Sequence, residues 1–164
     1  MCLRSTEKRN NTVIIAVTSS DSLVLMRNIG CMWKSIGLEP ILLCNTKGSS
    51  GRKTSEFRVI HTLFTRRISL ISDLLSITST VSTLVKTHPR AIHASTPKAS
   101  LITLIAAKIT NVPTRIYMQR GLPTETAKGL KRLLLWLAEQ ATICLATHVV
   151  CISSSLREAT EAAG

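Results

Sequence analysis

The sequence predicts a single Rossmann-like α/β domain, a parallel sheet flanked by helices. Three observations carry that expectation. Short, β-rich apolar runs alternate with longer segments of helical period along the 164 residues. The first run, Val13–Val17, is continuously apolar and mostly β-branched, which suits a strand covered on both faces. A hydrophobic content of 45% suffices for a real core, and the length is that of about one domain.

The elements follow in order. Ser19, Ser20, Asp21 and Ser22 offer N-cap oxygens to a helix over Leu23–Ile36, where Leu23, Met26, Ile29 or Gly30, and Trp33 recur at helical spacing. Gly37 is placed to close that helix. Pro40–Cys44 reads as the second strand. Asn45–Glu56 is rich in Gly, Ser, Thr, Lys and Arg and reads as a surface loop, before strand-like residues resume over Phe57–His61. Leu70, Ile71, Leu74, Leu75, Thr78, Val81, Leu84 and Val85 fall on one helical stripe, expected to face the core, and Pro89 follows its end. Ala91–Ala94 is a short strand and Thr96-Pro97 a turn into the nearly all-apolar, buried helix Ala99–Ile109. Arg115–Met118 is a further strand behind Pro113. In the long helix Leu130–Ala146 the expected core stripe is Leu130, Leu133 or Leu134, Leu137, Ala141 and Leu145; Arg132, Leu135, Trp136 and Ile143 are left on an outer face near Lys128 and Lys131. Strand His148–Ile152 and a capped helix over Ser153–Ala163 complete the pattern. Alternation at this pitch makes βαβ units with right-handed crossovers. No internal repeat is visible.

A net charge of +12 draws in anionic partners of any kind. The basic residues are dispersed in doublets, without the block that marks a tail. Aromatics amount to 3%, too few for a surface that stacks bases, so no nucleic-acid partner is expected. The odd set Cys2, Cys31, Cys44, Cys144 and Cys151 has no C-x-x-C spacing; most sit in apolar runs, where a free thiol packs as a small hydrophobe. A reduced, cytoplasmic protein is the expectation, peripheral to a membrane at most, since neither a signal peptide nor a spanning apolar run is present. His61, His88, His93 and His148 lack metal-site spacing, so no metal is expected. Neither G-x-G-x-x-G nor G-x-x-x-x-G-K-[ST] occurs, which excludes the usual dinucleotide and P-loop sites, and no cofactor is expected.

Four stretches remain. They are Thr18–Gly37, Ile92-His-Ala-Ser-Thr-Pro-Lys-Ala-Ser100, Arg120-Gly-Leu-Pro-x-Glu-Thr-Ala-x-Gly-x-Lys-Arg132 and Val150-Cys-Ile-Ser-x-Ser-Leu-Arg-Glu158. Together they resemble the N-terminal domain of GT-B glycosyltransferases of the family 4 type, in the branch associated with capsular and other surface polysaccharides. The resemblance implies that residues 1–164 are the acceptor-side domain and that a C-terminal domain holding the nucleotide sugar is absent from them. It also implies transfer of a sugar from a nucleotide sugar to a glycan or lipid-linked acceptor; the apolar and basic outer face of the Leu130–Ala146 helix adds the expectation of peripheral contact at the inner face of the membrane. Arg120 and Lys98 would then be the catalytic charges, stabilising the departing diphosphate with fixed positive charge. Ser19, Ser20, Ser22, His93, Ser95, Thr96, Gly121 and Glu125 would bind substrate. Two positions depart from the pattern: Arg120 stands where many members carry histidine, and Ser95 where a second histidine is common. An arginine can hold a phosphate but cannot act as a general base. Simpler roles stand beside these, with the serines and Glu125 as helix caps, His93 as a core residue, and Lys98 and Arg120 as solvated turn residues. The competing reading is a non-catalytic, truncated or split module that docks a partner, an anionic lipid or a polyanion.

Overall fold

The computed structural model describes residues 10–19, 22, 28–45, 57–62, 64, 70–122, 124 and 127–162. Their elements run β1 (Asn10–Ser19), α1 (Ile29–Ser35), β2 (Glu39–Asn45), β3 (Arg58–His61), α2 (Leu70–Thr87), β4 (Pro89–Ala94), α3 (Pro97–Ile109), β5 (Thr114–Gln119), α4 (Gly129–Leu145), β6 (His148–Cys151) and α5 (Ser154–Ala162). The six strands pair in the order β3-β2-β1-β4-β5-β6, every pair parallel. The predicted Rossmann-like class is therefore what forms, with the reversal of strand order between β1 and β4.

Val13–Val17 is wholly buried, as a central strand of a sheet covered on both sides requires. Alternation sends Ile14 and Ala16 to one face, with Ile41, Leu43, Ile92, Ala94 and Tyr117, under α2, α3 and α4. Val13, Ile15 and Val17 go to the other face, under Ile29 and Trp33 of α1. Gly37 closes α1 as predicted. At φ +78° it occupies the left-handed region, its N–H bonds to Lys34 O at 3.0 Å, and Leu38 N–H bonds to Trp33 O at 3.0 Å. Gly30 lets this helix seat against Phe57, the residue before β3, because a Cβ there would lie 2.8 Å from the Phe57 ring. The helix predicted over Leu23–Ile36 is not continuous, because Asn28 at φ +69° is a left-handed N-cap and α1 begins at Ile29; residues 23–27, the loop over 46–56 and Cys2 lie outside the described residues.

Two helices turn a different face inward than their apolar stripes predict. In α2 the buried positions are Ser76, Thr80 and Leu84, whereas Ile71, Leu74, Leu75, Thr78 and Val85 are exposed. Ser76 donates to Ser72 O at 2.8 Å and Thr80 to Ser76 O at 2.7 Å, so their hydroxyls are satisfied inside the helix and their small size permits close packing on α3. In α4 the buried residues are Glu139 and Thr142; Leu130, Leu133, Leu134 and Leu137 are half or more exposed, and Leu135 and Ile143 point inward instead. Glu139 sets that rotation. Its Oε1 accepts hydrogen bonds from Tyr117 Oη at 2.8 Å and Gln119 Nε2 at 2.7 Å. Turning the leucines inward would strand those two buried donors, at about 1–3 kcal/mol each.

The described cysteines are free thiols; Cys44 is buried as expected, but Cys31 and Cys144 are exposed, because each lies on the outward side of its helix. No described helix is long and apolar enough to cross a membrane.

Candidate functional site

The carboxyl ends of β1 and β4 meet where the strand order reverses, the place in an open α/β sheet where a crevice opens. Two threonines join the strands there. Thr18 N–H donates to Thr96 Oγ1 at 2.9 Å, and the two hydroxyls lie 2.8 Å apart. Thr96 is the N-cap residue of α3, yet its hydroxyl makes no capping bond and turns to β1 instead. Pro97 follows at the first helical position, where its missing N–H costs nothing. Ser95 is buried, and its N–H reaches Ala16 O at 3.3 Å.

Beneath this rim a cavity of about 600 Å³ opens between α2, α3 and α4. Thr18, Ser22, Thr96 and Lys98 line it, together with Asp73, Lys131 and Glu139. Lys98 Nζ lies 2.7 Å from Asp73 Oδ1, a largely buried ion pair. Lys98 is thus neutralised by a partner on α2 rather than solvated on the surface. Glu139 is 5% exposed. Burial raises its pKa, and the hydrogen bonds from Tyr117 and Gln119 offset this only in part. Burial and the neighbouring carboxylate also push the Tyr117 phenol well above its ordinary range, so it remains a donor. On the far side of Gln119, Oε1 accepts from Thr160 Oγ1 at 2.8 Å and Cys151 Sγ at 3.3 Å. One buried polar network thereby ties β5 to α4, β6 and α5.

Arg120 stands elsewhere. It follows β5, its Nη2 donates to Met118 Sδ at 3.4 Å, and it lines a separate cavity of about 280 Å³ with Ile152, Ser153, Ser155, Leu156 and Ala159. Partial burial lowers its pKa. His93 is 2% exposed on the α1 side of β4, with Trp33 edge-on to its ring at a centroid distance of 6.0 Å. Neither ring nitrogen has a hydrogen-bond partner among the described residues. Burial, and then the nearby Arg120 charge, hold its pKa down at about 4, so the imidazole is neutral. Gly121 is exposed beside Arg120.

The structure therefore gathers Ser22, Thr96 and Lys98 around one cavity and sets Arg120 and His93 apart from it. Ser19 ends β1; Ser20 and Glu125 lie outside the described residues. A further cavity of about 750 Å³ along β6, α4 and α5 holds none of the predicted site residues. Sequence reading missed Asp73 and Glu139. Each is the sole acidic residue of a long helix, and a lone carboxylate in an apolar helix was the available signal.

No protein-family model matches the chain. Over 152 residues, 91% of its length, it is 34% identical to the capsular polysaccharide biosynthesis glycosyltransferase CapM of Staphylococcus aureus. It spans 39% of that relative's length. Among solved structures, MurG of Acinetobacter baumannii superposes with a TM-score of 0.63 at 11% identity, over 88% of this chain and 41% of MurG. WbmH of Bordetella bronchiseptica, in complex with NAD+, gives 0.56 at 10% identity, over 85% and 54%. UDP-glucose 4-epimerase of Brucella ovis, in complex with NAD, gives 0.51 at 13% identity, over 80% and 46%. At such identities these structures attest the fold alone. The CapM match bears out the glycosyltransferase resemblance that the motifs carry.

Proposed function

We propose that this chain, a homologue of a capsular polysaccharide glycosyltransferase, is the acceptor-side domain of a GT-B transferase. The reaction is transfer of a sugar from a nucleotide sugar to a glycan or lipid-linked acceptor in surface polysaccharide synthesis. The observation that carries this reading is the 34% identity extending over 91% of the chain, through both strand-end motifs. The NAD-dependent alternative suggested by two fold neighbours finds no support in the turn after β1, which has no glycine.

Residues 1–164 make up the acceptor half, and a second domain holds the nucleotide sugar. Arg120 meets the departing diphosphate, since a guanidinium keeps its charge and presents a fixed fork of donors. Beside it His93 stays neutral and adds no competing charge. Lys98, tied to Asp73, fixes the first turn of α3 at the cleft rim. Ser19, Ser20, Ser22, Ser95, Thr96, Gly121 and Glu125 contribute hydroxyls, amides and a carboxylate around the acceptor. The outer face of α4 rests on anionic lipid: exposed Leu130, Leu133 and Leu137 stand beside exposed Lys128, Lys131 and Arg132.

Calorimetry on the purified chain tests the half-site assignment. Binding of acceptor glycan without binding of UDP- or GDP-sugars is the expected result; micromolar affinity for a nucleotide sugar would overturn it.

A further inference from the structure

The cavity between α2, α3 and α4 has a chemistry of its own. Its walls are apolar at Pro97, Leu101, Leu134, Leu135 and Ala138. Its lining lysines and carboxylates are equal in number: Lys98 is held by Asp73 at 2.7 Å, and Lys131 and Glu139 both line the space. Among the described lining residues a phosphate would meet as many carboxylates as ammonium groups. Glu139 reaches the cavity from α4 although it is 95% buried by its 5% exposure. Both hydrogen bonds that Tyr117 and Gln119 donate converge on Oε1. That leaves Oε2 as the carboxyl oxygen available to a ligand, in a setting where an unmet acceptor is costly. At the rim the Thr18 and Thr96 hydroxyls supply further polar contacts. An uncharged group bearing hydroxyls and carrying an apolar portion satisfies every surface of this space.

We propose that this cavity is a binding subsite for the uncharged, hydroxyl-bearing part of an amphipathic glycoside, with Glu139 Oε2 accepting a hydrogen bond from one sugar hydroxyl. The proposal rests on the acceptor-side reading and deepens it. Glu139 is a ligand-binding residue, and Tyr117 and Gln119 are positioning residues that aim it.

The test uses hexyl β-D-glucoside, below its micellar concentration, as probe and the purified 164-residue chain. Methyl NMR shifts of Leu101, Leu134, Leu135 and Ala138 report occupancy. Saturable shifts of these methyls are expected, with no competition from glucose 1-phosphate. Glu139→Gln, nearly isosteric and still able to accept from Tyr117, should weaken the probe by about tenfold, because the accepting Oε2 is replaced by an amide donor. Its melting temperature should stay within a few degrees of wild type. Ala138→Trp fills the cavity and should abolish binding, with circular dichroism checking its fold. Unchanged affinity in Glu139→Gln, shifts confined to other methyls, or effective competition by the sugar phosphate would each overturn the proposal. Glucoside binding with nucleotide-sugar binding in the same chain would overturn the half-site reading and leave this subsite standing.

Discussion

His93 shows how one residue's burial becomes a property of the protein. Its imidazole is neutral in the fold because protonation would place a charge in a buried position beside Trp33 and near the Arg120 guanidinium. The folded pKa of about 4 lies below the ordinary value of 6.5. As pH falls through that window the unfolded chain gains a proton that the folded chain refuses, so stability present above pH 6.5 is lost between about 6.5 and 4. At 1.36 kcal/mol per unit, the loss approaches roughly 3 kcal/mol. Urea unfolding at pH 7.5 and pH 4.5 should show His93→Leu with a smaller difference between the two pH values than wild type; equal differences would mean that His93 does not govern acid sensitivity. Arg120→Ala removes the nearby positive charge, so the His93 resonance should titrate at a higher pH. The same variant should lose transfer in a complete enzyme with little change in melting temperature, because a part-exposed arginine contributes little to stability. At this scale the strand-end motifs announced the rim, since turn residues after strands are visible in sequence. Asp73 and Glu139 were not announced, because what gives each its role is a partner on another element.

At the scale of elements, strands were more legible than helix faces. Val13–Val17 and the Gly37 stop are local signals, and both are realised in β1 and the end of α1. The stripes on α2 and α4 misled because periodicity identifies an apolar face without saying what will cover it. In α4 the opposite rotation is fixed by the Glu139 bonds to β5, and the leucines face out. An exposed apolar face of this kind is uncommon on a monomer and marks a contact. With three cations beside it, that contact should be anionic lipid. Co-sedimentation with vesicles containing phosphatidylglycerol should retain the chain, neutral phosphatidylcholine vesicles should not, and the pair Leu133→Asp and Leu137→Asp should release it. Equal retention by both vesicle types, or by neither, would count against the lipid assignment.

At the scale of the whole molecule, a parallel sheet whose strand ends share one rim supplies, under the proposed reading, half of a cleft. Glycosyl transfer needs donor and acceptor held in register, and an aligned pair gains an advantage of roughly 7–11 kcal/mol over free encounter. The described rim offers the proposed glycoside cavity on one side and an arginine on the other, lining separate spaces rather than one enclosed site. Under the proposed reading that arrangement holds an acceptor and steadies a diphosphate, while the glycine-rich phosphate-cradling turn is missing from the sequence after β1. The 164 residues by themselves should therefore turn over nothing measurable. Radiolabelled transfer assays with a panel of nucleotide sugars and lipid-linked acceptors should register no product from this chain and should register product when a nucleotide-sugar domain is fused after residue 164. Robust transfer by the 164 residues would mean that one Rossmann-like unit positions both substrates, and Arg120 and the α2–α3–α4 cavity would then have to serve a single site.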